Sequence, residues 1–142
     1  MRDIEFRGKT KSGEWYIGFY DYKPLTNRYL IYFYKGKKSD TAIGCQVIPE
    51  TVGEYTGLKD KNGVKIFEGD IVKSKFYGKE DCRGVNFNTY DIFQVIYSPP
   101  SFFIENKNEK RCSLAYVEGW NKDFEVIGNI YDNPELLQGG GL

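Results

Sequence analysis

The sequence predicts a mainly β protein, folded as a bent antiparallel sheet or a barrel, and three observations carry that prediction. Twelve Tyr, ten Phe and two Trp dominate its large side chains, whereas Met1 is the only methionine and alanine stands only at Ala42 and Ala115. Aromatic and β-branched side chains suit a pleated, half-buried surface, and strong helix formers are scarce. Turn signals recur about every 8–12 residues, the spacing of short antiparallel strands. Several of the runs between those turns alternate apolar and polar residues with a period of two.

Taken in order, residues 2–9 make a first strand with Ile4 and Phe6 on one face, and KSG (11–13) turns it into the aromatic-rich strand 14–22. Pro24 and Asn27 break that strand. RYLIYFYK (28–35) is apolar on both faces, with Leu30, Tyr32 and Tyr34 on one and Tyr29, Ile31 and Phe33 on the other. Such a strand is either covered on both sides or supplies a partner surface. TAIGCQVI (41–48) follows, then strands ending at Leu58, covering 64–67, 70–77 and 90–97, a further extended segment SFFIEN (101–106), and strands 111–118 and 124–131. NPELL (133–137) starts a short C-terminal helix, with Asn133 at the N-cap and Pro134 in the first turn.

The 142 residues fit one domain over 1–138, with an N-terminal subregion 1–45 and a barrel-like core 46–130. An SH3-like small barrel is one form that core can take, by analogy with the EGDIV strand opening. The final GGGL (139–142) reads as a flexible tail of the kind added for expression. Twenty basic and twenty acidic residues cancel, which leaves no overall field to attract nucleic acid or an anionic membrane. Cys45, Cys82 and Cys112 are odd in number and lack CxxC spacing, so a reducing cytoplasm is expected rather than a disulfide framework. Cys45 and Cys112, in or beside apolar strands, are expected to be inert, whereas Cys82 lies in a polar loop. No apolar run approaches the ~18 residues of a membrane-spanning helix. The absence of histidine excludes Ser-His-Asp and Cys-His machinery and His-ligated zinc.

The most organised stretch is YTGLKDKNGVKIFEGDIV (55–72). As a calcium loop with Gly63 at its sixth position it has Asp60 and Asn62 in place, but Leu58 at the first position and Gly69 at the twelfth. As a phosphate loop it has Gly57 and Gly63 one residue too far apart, and Val64 where lysine is required. As structure it fits well. DKNG suits a type I turn with a left-handed Gly63 as a bulge, with an Asn-Gly type I′ turn as the alternative. EGD then makes a second bend in which Gly69 takes the unusual backbone and Asp70 bonds nearby amides.

Three motifs, RDIEFRGK near the start, TVGEYTGLKDKNGVKIFEGDIV in the middle and FEVIGNIYDNPELL at the end, resemble the YopX family of bacteriophage and prophage proteins. Residues 75–117 add little to the likeness. The resemblance implies a mostly β fold and a phage or prophage origin in a Gram-positive bacterium, and hence the host cytoplasm. It implies no catalytic residue and no cofactor.

Three functional readings follow from the residues. The first is a non-enzymatic binding module for a host or phage macromolecule, acting as a homo-oligomer, with Tyr29, Ile31 and Phe33 as the partner surface. Its grounds are the aromatic excess and the missing catalytic constellation. The second is a single-stranded nucleic-acid binder using Tyr34, Lys35, Lys37, Lys38, Lys73, Lys75, Tyr77 and Lys79, with rings on bases and lysines on phosphates. The third is a metal enzyme drawing on Glu50, Glu54, Asp60, Glu68 and Asp70, which crowd into one part of the chain without a recognised ligand pattern.

Overall fold

The structure is a computed structural model that describes residues 3–36, 38, 40–75, 90–106, 111–114 and 124–138. Lys37, Tyr77, Lys79, Cys82 and the tail 139–142 lie outside the described residues, as does the side chain of Lys75. The chain divides into two compact units, Met1–Tyr55 and Thr56–Leu142.

In the first unit four antiparallel strands, β1 (Phe6–Lys9), β2 (Trp15–Lys23), β3 (Arg28–Tyr34) and β4 (Ala42–Gln46), lie in the spatial order β4-β3-β2-β1. β5 (Gly53–Lys59) enters beside β1, with Gly53 opposite Arg7 and Glu54 opposite Phe6. The registers place Tyr20 across from Ile31, and Ile31 across from Cys45. Because side chains alternate along a strand, one face collects Phe6, Tyr16, Tyr20, Tyr22, Tyr29, Ile31, Phe33 and Cys45. The rings there stack, Tyr16 on Phe33 at 5.1 Å and Tyr22 on Tyr29 at 4.6 Å. We call this the inner face.

The link from β4 to β5 crosses the inner face. Ile48 donates its amide to the Lys9 carbonyl, and a 3-10 turn at Pro49–Thr51 follows. Val47 fills the space above Gly8, where an added Cβ would come within 2.8 Å of it. Thr51 Oγ1 fixes the crossing by accepting the Lys9 amide at 2.9 Å and donating to the Ile48 carbonyl at 2.6 Å. With Thr51 only 6% exposed, Thr51→Val is expected to lose about 1–2 kcal/mol, read as a lowered urea midpoint with unchanged slope.

In the second unit the far half of β5 runs beside β6 (Lys65–Phe67). A five-stranded antiparallel sheet has the order β10-β9-β8-β7-β11, from β7 (Asp70–Lys75), β8 (Tyr90–Ser98), β9 (Ser101–Glu105), β10 (Arg111–Ser113) and β11 (Phe124–Asn129). Its core is Ile66, Val72, Phe93, Val95, Ile104, Leu114 and Phe124. The mainly β expectation holds, in its bent-sheet form. The described strands make two open antiparallel sheets with free ends and close no barrel.

The helix α1 (Glu135–Gln138) forms at the expected place, but Asn133 serves it differently. Its side-chain oxygen turns back to accept the Asn129 amide and lies over Gly128, where any Cβ would collide with it. The helix instead starts on backbone bonds, from the Leu136 amide to the Asn133 carbonyl and from Leu137 to Pro134. No helix among the described residues is long and apolar enough to cross a membrane.

Candidate functional site

The stretch 55–72 is a structural device. The Gly63 amide donates to the Asp60 carbonyl at 3.0 Å, the Asp60 amide to Val64 at 2.8 Å, and Gly63 has φ 80°. That is the type I turn with a left-handed bulge, not the type I′ alternative, since Asn62 keeps a negative φ. Asp60, 7% exposed, ties the turn to β11. Oδ1 accepts the Asn62 and Val64 amides at 2.8 and 2.9 Å, and Oδ2 accepts the Val126 amide at 3.0 Å. At the second bend Gly69 has φ 90°, and the buried Asp70 accepts the Phe67 amide at 2.8 Å.

Two of the five clustered carboxylates thus serve backbone amides. Among the described residues no three acidic or cysteine side chains come together as metal ligands would. The sequence signal that Asp60 is a clamp was available in DKNG, but its bond to Val126 is 66 positions away and could not be read locally.

The surface residues sort by face. Ile31 is fully buried and Tyr29 is half-buried under Tyr22, whereas Phe33, half-buried and stacked on Tyr16, lines the groove described below. The opposite, outer face carries Arg7, Lys9, Trp15, Ile17, Phe19, Tyr32 and Tyr34. Here Ile17 is 46% exposed, Phe19 57% and Tyr34 53%, the last two rings meeting edge-on at 6.3 Å. These three side chains, with Ile4, Gly18, Tyr32, Phe33 and the acidic Asp3 and Glu5, line an open groove of about 570 Å³.

Gly18 is part of the groove's lining. It pairs with Phe6 on β1, while the β2–β3 ladder begins at the next residue, Phe19 opposite Tyr32. The Tyr32 carbonyl closes so tightly on Gly18 that no side chain fits. The adjoining end of the outer face is basic and aromatic. The Arg7 guanidinium lies 4.9 Å from the Trp15 ring centre and the Lys9 ammonium 6.0 Å from it. At the other end Lys23 pairs with Asp21 at 2.6 Å, and that carboxylate raises the Lys23 ammonium above its ordinary value. On the inner face the Tyr20 phenol is pushed above 10.0, first by burial and then by Tyr29 and Tyr22.

Of the predicted nucleic-acid contacts, Tyr34, Lys35 and Lys38 are exposed in and after β3. Tyr34 belongs to the acid-rimmed groove. Lys73 lies in the second unit, half-buried in the interior strand β7 and directly opposite Glu125. Trp15, Ile17 and Phe19 were not singled out from the sequence, although WYIGF alternates in the way an outer face requires.

Comparison with known proteins adds kinship but no activity. A crystal structure of protein EF1440 from Enterococcus faecalis is similar, with TM-score 0.53 and 26% identity over 96% of this chain and 99% of that one. No curated protein matches the sequence. The family model described as YopX protein matches residues 5–138, nearly the whole length, and the chain therefore belongs to the YopX family.

Proposed function

We propose that the protein is a phage- or prophage-encoded accessory module that acts by binding a protein of the host or phage, without chemistry of its own. The observation that carries this reading is the outward row Ile17, Phe19 and Tyr34 beside the groove. Contiguous exposed apolar surface commonly marks a contact. The partner it suits presents an apolar segment carrying a cation, since Asp3 and Glu5 give the groove a negative rim. Rings of this kind are the usual anchors of protein interfaces.

Immobilised protein incubated with host-cell lysate, with and without nuclease, tests the reading. A protein captured equally in both conditions is the expected result. The basic pair over Trp15 favours a second reading, single-stranded nucleic acid stacked at that end of the face. Capture that vanishes with nuclease and weakens steeply with salt would put that reading first.

A further inference from the structure

We propose that β4 pairs with β4 of a second copy of this chain, antiparallel and centred on Gly44. This interface is separate from the outer-face groove. Among the described residues no strand flanks Ala42–Gln46 on the far side, and the next outward amide, that of Ile48, already donates to the Lys9 carbonyl of β1, so the open edge ends at Gln46. Its ladder with β3 continues to Val47, whose amide donates to the Tyr29 carbonyl at 2.9 Å. That bond fixes the alternation. Ile43, Cys45 and Val47 turn their backbone groups toward β3, opposite Phe33, Ile31 and Tyr29, so Ala42, Gly44 and Gln46 turn theirs outward.

Those outward groups are self-complementary. With Gly44 on the two-fold axis, Ala42 of each copy faces Gln46 of the other, and all three outward residues meet outward residues. Three hydrogen-bonded residue pairs of two bonds each make six bonds. Ile43 then stands opposite Cys45 of the second copy and continues the inner face across the axis. A glycine pair would ordinarily leave a gap there. Tyr32 already covers Gly44, its Cε1 2.7 Å from where a Cβ would sit, so two such rings would flank the axis.

Charge points to a second copy as well. AIGCQ carries no charged residue and no proline, the usual guards of an open edge.

The proposal is tested by sedimentation and by cross-linking of the full chain. The wild type is expected at twice the 16.4 kDa chain mass. Ala42→Pro removes an outward amide at the first residue of the strand, where proline is tolerated. With two of the six bonds lost it should weaken dimerisation about thirtyfold. Ile43→Cys, in a chain also carrying Cys82→Ser and Cys112→Ser, places a thiol opposite native Cys45 of the other copy, at the close Cα spacing of a non-hydrogen-bonded pair. Mild oxidation should then double the chain mass on a non-reducing gel, through a 43–45 linked peptide identified by mass spectrometry. That link supports the proposal whatever assembly contains it. A monomeric wild type, or an assembly that Ala42→Pro leaves intact and that forms no 43–45 link, overturns it.

Discussion

Asp60→Ala is expected to lower the unfolding free energy by about 3 kcal/mol, a large fraction of the stability of an ordinary domain. The carboxylate accepts three backbone amides, from Asn62, Val64 and Val126, and so holds the 60–63 turn and the start of β11 in one arrangement. Bonds to a charged acceptor contribute more than neutral ones, and alanine leaves the part-buried Val126 amide without its acceptor. The neighbouring bond from the Lys61 amide to the Phe124 carbonyl depends on the same geometry. Asp60→Asn separates the contributions. Its carbonyl can still serve the two turn amides, but its NH2 would face the Val126 amide, so about half the loss should remain. Urea unfolding of both variants checks the order. Equal losses, or a loss under about 1 kcal/mol for alanine, would show that the clamp matters less than its geometry indicates.

Gly18→Ala should cost about as much for a different reason. The added methyl would overlap the Tyr32 carbonyl oxygen, which is backbone and cannot rotate away. Relief requires moving β2 from β3 at the point where Phe19 and Tyr32 begin their ladder. Forced displacement of this kind typically costs about 1–3 kcal/mol, and backbone contact puts this case at the upper end. Gly13→Ala is the matched control. Gly13 has φ 95° but open space around it, so only the left-handed backbone penalty of about 1 kcal/mol applies. Melting temperatures of the two variants should therefore separate clearly, with the position 18 variant lower.

Local chemistry was legible in the sequence, and long-range coverage was not. Strand positions followed from alternation, and the bulged turn at Gly63 followed from DKNG, because a left-handed glycine after a type I turn is a local requirement. The helix start was only half readable. NPELL located it, but Asn133 reaches backward to Asn129 because Gly128 leaves room for its side chain. β3 was the least readable strand. Alternation correctly divides Leu30, Tyr32 and Tyr34 from Tyr29, Ile31 and Phe33, but it is symmetric between the two faces. Leu30 on one face and Ile31 on the other are both buried, and how far each position is covered depends on contacts distant in sequence. No periodicity encodes those contacts. Phe33 from one face and Tyr34 from the other both reach the groove, and Phe19 on β2 joins them there.

Two outer-face rings are separable from stability. Phe19 and Tyr34 touch each other at 6.3 Å and are more than half exposed, so their removal leaves no cavity. The decisive measurement is lysate capture by Phe19→Ser combined with Tyr34→Ser, compared with wild type at equal loading after unfolding curves of both. The account predicts unfolding midpoints that nearly coincide and at least a tenfold loss of the nuclease-resistant partner. Undiminished capture by the double variant would contradict it, and would move the binding surface away from the groove.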